Sequence, residues 1–302
     1  MKTNKTETNM NQITDTNEKV SAGKAILRAL GYGGVYMGGQ VAGGMAIGMF
    51  AAFKFAFDAA RNGSDASQFS EGYMDYAMSL TGTMVVIAAI ASLAFLFLYY
   101  KINDKSMAEE INFKKPVGAK KIAVLAALGI ALNYITIAVL MLLPDSIMSG
   151  YAESSSVLDT ENGILTMIGT AIAAPIIEEV IFRGLIFDRL KKGMPVVLAG
   201  IISAVAFGLA HGQIIWICYA GILGLILAYV YHKTGSIKAT IAIHMAYNSN
   251  SVILQILPFH VSVTVKFVIA AISVVAIPVG IIVAKKLREK NDVADVKVVS
   301  AA

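Results

Sequence analysis

The feature that most constrains this chain is its succession of long apolar runs. A transmembrane helix needs about 17–25 mostly apolar residues, and eight such runs follow one another here. They lie within 25–57, at 80–100, at 122–143 ahead of Pro144, from 164 past 182, at 194–210, at 214–231, at 237–257 ahead of Pro258, and up to 284. Eight spans of about 20 residues use about 160 positions, which leaves no room for a separate soluble domain in 302. Composition agrees: 57% of residues are hydrophobic and 15% charged, against roughly 25% charged in an ordinary soluble domain. That excludes a cytosolic enzyme, a disordered regulator and a nucleic-acid binder. A single cysteine, Cys218, excludes an intrachain disulfide framework and a multi-cysteine zinc site. The expected fold is all-α: a polytopic membrane protein of about eight transmembrane helices.

Charge placement predicts the orientation. With the N-terminus inside, 22 of the 25 Lys and Arg residues fall in segments on the inner side, as the positive-inside rule requires. The loops 58–79 and 144–163 instead carry eight acids, among them Asp58, Asp75, Asp145 and Glu153. Both termini are therefore expected in the cytoplasm of a multi-pass cell-membrane protein. The net charge of +5 reports topology and assigns no nucleic-acid partner. Residues 1–23 read as a polar, mobile cytoplasmic tail, 24–284 as the transmembrane domain and 285–302 as a basic cytoplasmic tail. The first span carries Gly34–Gly38, Gly39–Gly43 and Gly44–Gly48, each pair four apart. Such pairs let helices approach closely, and their winding course suits burial on several sides.

The informative residues are ionisable groups inside spans, where each charge costs about 2.5–3.5 kcal/mol. The fourth span holds Glu178, Glu179 and Arg183; the fifth ends in His211; the seventh holds His244 and Asn248. Glu179 and Arg183 are four apart and can pair on one helix face. Glu178, rotated about 100° away, is left without an intrahelical partner. Phe207 and His211 share a face, as do His244 and Asn248. One carboxylate, two imidazoles and an amide suit water activation. Glu178 could act as general base, with a histidine positioning water or binding a metal, and Asn248 with the other histidine stabilising an oxyanion. Glu178, His211 and His244 could instead hold zinc with a water. A buried structural ion pair and interhelical hydrogen bonding are the bland alternatives for these polar groups. His232 and His260 read as interfacial; Gln40, Asn133 and Cys218 read as packing residues. Depth along the helices is discordant, because His211 lies about 25 Å from the start of its span, towards the outside, while Glu178 and His244 fall in the inner half. An extension of the fourth helix to Leu190, or helix tilt, would reconcile them.

The sequence Glu178-Glu179-Val180-Ile181-Phe182-Arg183 resembles the EExxxR motif of the CAAX-protease and bacteriocin-processing (CPBP, or Abi) family of intramembrane proteases. Phe207-Gly208-Leu209-Ala210-His211 resembles its FxxxH motif, and His244-Met245-Ala246-Tyr247-Asn248 its HxxxN motif. Residues 164–250 carry the likeness, three motifs in order on three spans. The resemblance implies peptide-bond hydrolysis within the membrane, on a membrane-associated or prenylated peptide or protein. Glu178 would activate water, helped by His211. His244 and Asn248 would stabilise the oxyanion, and Glu179 and Arg183 would support. It implies either no cofactor or Zn2+. A non-proteolytic bacteriocin-immunity or binding protein on the same scaffold, or a proton-coupled transporter, are the competing readings.

Overall fold

The structure, a computed structural model, describes residues 20–62, 66–156, 163–257 and 261–278. Much of the two expected tails, together with His260, therefore lies outside the described residues. Among the described residues every regular element is helical. In chain order they are α1 (Ala22–Asn62), α2 (Ala66–Ser79), α3 (Thr81–Ile102), α4 (Met107–Glu110), α5 (Ala119–Leu140) and α6 (Asp145–Ser155). Then come α7 (Ile164–Leu190), α8 (Val196–Leu209), α9 (Ile214–Thr234), α10 (Ile237–Ile256) and α11 (Val263–Pro278). The protein is a multi-pass membrane protein: among the described residues α1, α3, α5, α7 and α9 are each long and apolar enough to cross a bilayer. The run expected as the fifth span forms the shorter apolar helix α8, and α11 covers the part of the eighth run that lies within the described residues. The expected seventh is the more polar α10.

α7 is the hub, packed against α1, α3, α8, α9 and α10. Its backbone departs from α-geometry in two π-helical stretches, Gly169–Ala173 and Glu179–Phe187. Such wider turns recur at functional positions in helices. Every residue from Ile177 to Asp188 is buried, so this stretch presents no lipid face. Small residues permit the close packing around it. At Gly82 of α3 an added methyl would strike the backbone of Thr166, and at Gly129 of α5 it would strike the carbonyl of Ile243 on α10. Asn133 is buried and bonded to α10: it donates to Ser251 Oγ at 2.8 Å and accepts from Asn250 at 2.7 Å.

Two expectations change. The glycines of α1 are not buried on several sides: Gly39 and Gly43 contact α3, whereas Gly31, Gly34 and Gly38 have open space around them. Arg183, counted with the inner basic segments, is wholly buried and marks no loop.

Candidate active site

The fourth apolar run does extend to Leu190, and α8 starts at Val196, which removes the discordance in depth. The sequence explains the local shape of α7. In the i→i+5 register of Gly169–Ala173, the carbonyl of Thr170 faces position 175, a proline with no N–H. Asn248 Nδ2 of α10 fills that place, donating to the Thr170 carbonyl at 2.9 Å. One member of the HxxxN pair thus completes the backbone of the helix that carries the glutamates. Asn248 keeps a second amide proton.

Below this point the two glutamates diverge. Glu179 Oε1 accepts from Arg183 Nη1 at 2.8 Å, the expected i,i+4 pair, with both side chains fully buried. The same oxygen lies 2.9 Å from His244 Nδ1. A carboxylate only accepts, so Nδ1 carries the proton of that bond. The other ring nitrogen, Nε2, is directed to Glu178 Oε2 at 3.6 Å, beyond hydrogen-bond length. His244 therefore stands between the two carboxylates, held by one and facing the other.

Glu178 does have a partner, supplied from outside its own helix. Tyr36 of α1 donates to Glu178 Oε1 at 3.1 Å, and both groups are buried. The Tyr36 ring meets Phe182 edge-on at 5.3 Å. No motif in the first 120 residues announces Tyr36, because a tyrosine in an apolar run reads as a core or interface aromatic. The detectable signal is its burial partner: Glu178 was the one acid whose spacing left it needing a donor.

Phe207 organises the rest. Its buried ring lies 4.2 Å from the Arg183 guanidinium carbon, a distance typical of cation–π contact. It meets His211 at 4.9 Å and His244 at 5.6 Å, both edge-to-face. His211 follows the end of α8, half-buried, with Nδ1 2.9 Å from the Phe207 carbonyl. Glu178, Phe207, His211, His244 and Asn248 all line one cavity of about 500 Å³. Glu179 and Arg183 sit behind it and are absent from its lining.

The donor set does not fit a metal. Among the described residues no three His, Cys, Asp or Glu side chains come together with metal-binding spacing. Glu178, His211 and His244 share the cavity without forming a coordination cluster.

Comparison with known proteins agrees with this arrangement. The family model for Type II CAAX prenyl endopeptidase Rce1-like proteins matches residues 160–250, the segment that holds all three motifs. The chain is 33% identical over 106 residues to a putative membrane peptidase YdiL of Bacillus subtilis (strain 168), covering 35% of this chain and 43% of that protein. It is 30% identical over 187 residues to the membrane-embedded CAAX protease MroQ of Staphylococcus aureus (strain USA300), covering 57% of this chain and 73% of that protein. No solved structure matches the chain significantly. The match to MroQ over most of its length, with the family segment falling on the helices that build the cavity, shows that this chain belongs to the CPBP family of membrane-embedded CAAX-type proteases.

Proposed function

We propose that the protein is an intramembrane endopeptidase that hydrolyses a peptide bond of a membrane-associated peptide or protein, with Glu178 as general base. The observation that carries this reading is the pairing of Glu178 with two different environments. Tyr36 holds Oε1, while Oε2 faces His244 Nε2 at the floor of the cavity. A carboxylate fixed through one oxygen presents the other for proton transfer.

The proposed reaction runs as a water attack. Glu178 takes a proton from water as its oxygen bonds to the scissile carbonyl carbon. The carbonyl oxygen becomes an oxyanion, stabilised by the second amide proton of Asn248 and by His244 protonated on both nitrogens, with Nδ1–H kept on Glu179 and Nε2–H donated to the oxyanion. His211, at the cavity wall, orients the water. As the tetrahedral species collapses, the C–N bond breaks and Glu178 returns its proton to the leaving nitrogen. Glu179 and Arg183 hold His244 and Phe207 in place. The donor geometry gives no support for routing a step through a metal. In the membrane, eight spans with both termini cytoplasmic form the proposed topology, supported by the placement of Lys and Arg.

The test is substrate trapping. A Glu178→Gln form should retain an uncut membrane peptide, identified by mass spectrometry, which the wild type releases as two fragments. Equal processing by Glu178→Gln and wild type would end the assignment.

A further inference from the structure

The catalytic cavity reaches only one end of the helical bundle. Its lining comes from the start of α3, the C-terminal half of α5, α6, the first half of α7, the end of α8, the first half of α9, α10 from His244 onwards and Lys266 of α11. Its half-buried outer lining includes Leu140, Ser155, His211, Trp216 and Lys266. Tyr151 of α6 and Trp216 of α9 meet edge-on at 6.3 Å across this region. α6 buries none of its residues, so this wall of the cavity is thin.

The other end is closed. From Ile177 to Asp188 α7 is buried without interruption. Beyond it Phe187 packs on Tyr231 at 6.0 Å. Asp188 is clamped there by Lys191 at 2.7 Å and Lys192 at 3.1 Å. A separate polar cavity of about 800 Å³ lies at that end, lined by Lys105, Glu109, Asp188, Lys191, Lys192 and His232 among others. The two cavities share no lining residue. Along α7, Thr170 in the first and Asp188 in the second are separated by roughly 25 Å of helix.

The charges tell the ends apart. The loops at the polar cavity carry Lys101, Lys105, Lys114, Lys115, Lys191, Lys192 and Lys233. The α6 end carries Asp145 and Glu153, with Lys266 as the cation of the cavity lining. An excess of Lys and Arg in short loops marks the cytoplasmic side.

We propose that the catalytic cavity is entered from the extracytoplasmic side, past α6, and that its substrate is a peptide presented at the outer face of the membrane. This rests on the peptidase reading and deepens it: a soluble cytosolic tail meets the closed end. The aromatic wall of Tyr151, Trp216 and Tyr219 gives the entering segment an apolar surface beside Lys266.

The experiment uses the full chain in intact cells, in a Cys218→Ser background, with a membrane-impermeant maleimide-polyethylene glycol. Ser155→Cys should be labelled in intact cells, and Lys105→Cys only after permeabilisation. Labelling Ser155→Cys from outside should also abolish processing of the peptide trapped by Glu178→Gln, relative to the same variant unlabelled. The reverse labelling pattern, or processing that survives the bulky adduct, overturns the outward route. Labelling needs no catalysis. Absence of processing by the unlabelled chain therefore counts against the peptidase reading, and reversed labelling against the outward mouth.

Discussion

Two helices of the molecule, α7 and α1, stand in opposite relations to lipid. α7 through its glutamate-bearing stretch is buried on all sides, with Glu179, Arg183 and Phe207 fully inaccessible. α1, the longest helix at 41 residues, exposes Leu27 at 71%, Met49 at 70% and Phe53 at 72%. The motif half, α7 to α10, supplies all seven of the side chains singled out from sequence. From the N-terminal half, Tyr36 donates a hydrogen bond to Glu178. The difference teaches that reactive groups were placed where helices surround helices. A buried charge there can be met from several directions at once. The first half serves largely as a wall, with the Tyr36 hydroxyl reaching Glu178 through it.

The largest expected effect falls on the motif half. Glu178→Gln should slow processing at least about 100-fold, the scale of a positioned general base, with membrane accumulation unchanged on immunoblots. Arg183→Met should act on stability instead. Leaving Glu179 buried without its cation costs about 3–5 kcal/mol, read as lost accumulation and earlier thermal unfolding in detergent. The double variant Glu179→Gln/Arg183→Met should recover part of that loss, since the unpaired charge is gone. Full stability of Arg183→Met would break the comparison, because buried and exposed halves would then tolerate charge equally.

Tyr36→Phe probes the bond from α1 to Glu178. A hydrogen bond to a charged group contributes about 1.5–3 kcal/mol to stability, so thermal unfolding should come earlier, and processing by the less firmly held Glu178 should fall about tenfold. An unchanged rate would reduce the N-terminal half to packing alone. The smallest contrast lies between glycines. Gly129→Ala strikes the Ile243 carbonyl and should cost about 1–3 kcal/mol. Gly38→Ala meets nothing within 4 Å and should stay within about 0.5 kcal/mol. Both are read from melting of the purified protein.

Legibility in the sequence followed the same divide. Glu179 and Arg183 pair as their spacing requires, because i,i+4 geometry is local. His244 could be placed in a polar interior from its span, but not between two carboxylates, since that depends on how α10 crosses α7. The role of Asn248 on the Thr170 carbonyl needed the π-helical stretch. Pro175 lies just after that stretch, and a proline alone does not say which register the helix adopts. The expected span boundaries track most helices closely, while α8 is shorter than its apolar run. The glycine winding of α1 was misread because spacing records which small residues are available, and contact depends on the neighbour that arrives.

The bond from Asn248 to Thr170 also bears on the order of events during synthesis. α7 enters the membrane before α8, α9 and α10 exist. Until α10 arrives, the Thr170 carbonyl freed by Pro175 has no amide or side chain from the later helices. The same delay holds for the second bond to the α7 backbone, from Ser203 Oγ of α8 to the Phe182 carbonyl at 2.8 Å. An unsatisfied carbonyl in hydrocarbon is costly, so the nascent helix carrying the glutamates should remain with the insertion machinery, in contact with water or protein, until its later partners are made. Catalytic competence would then come as the last step of biogenesis, which keeps a half-built protease from meeting substrate.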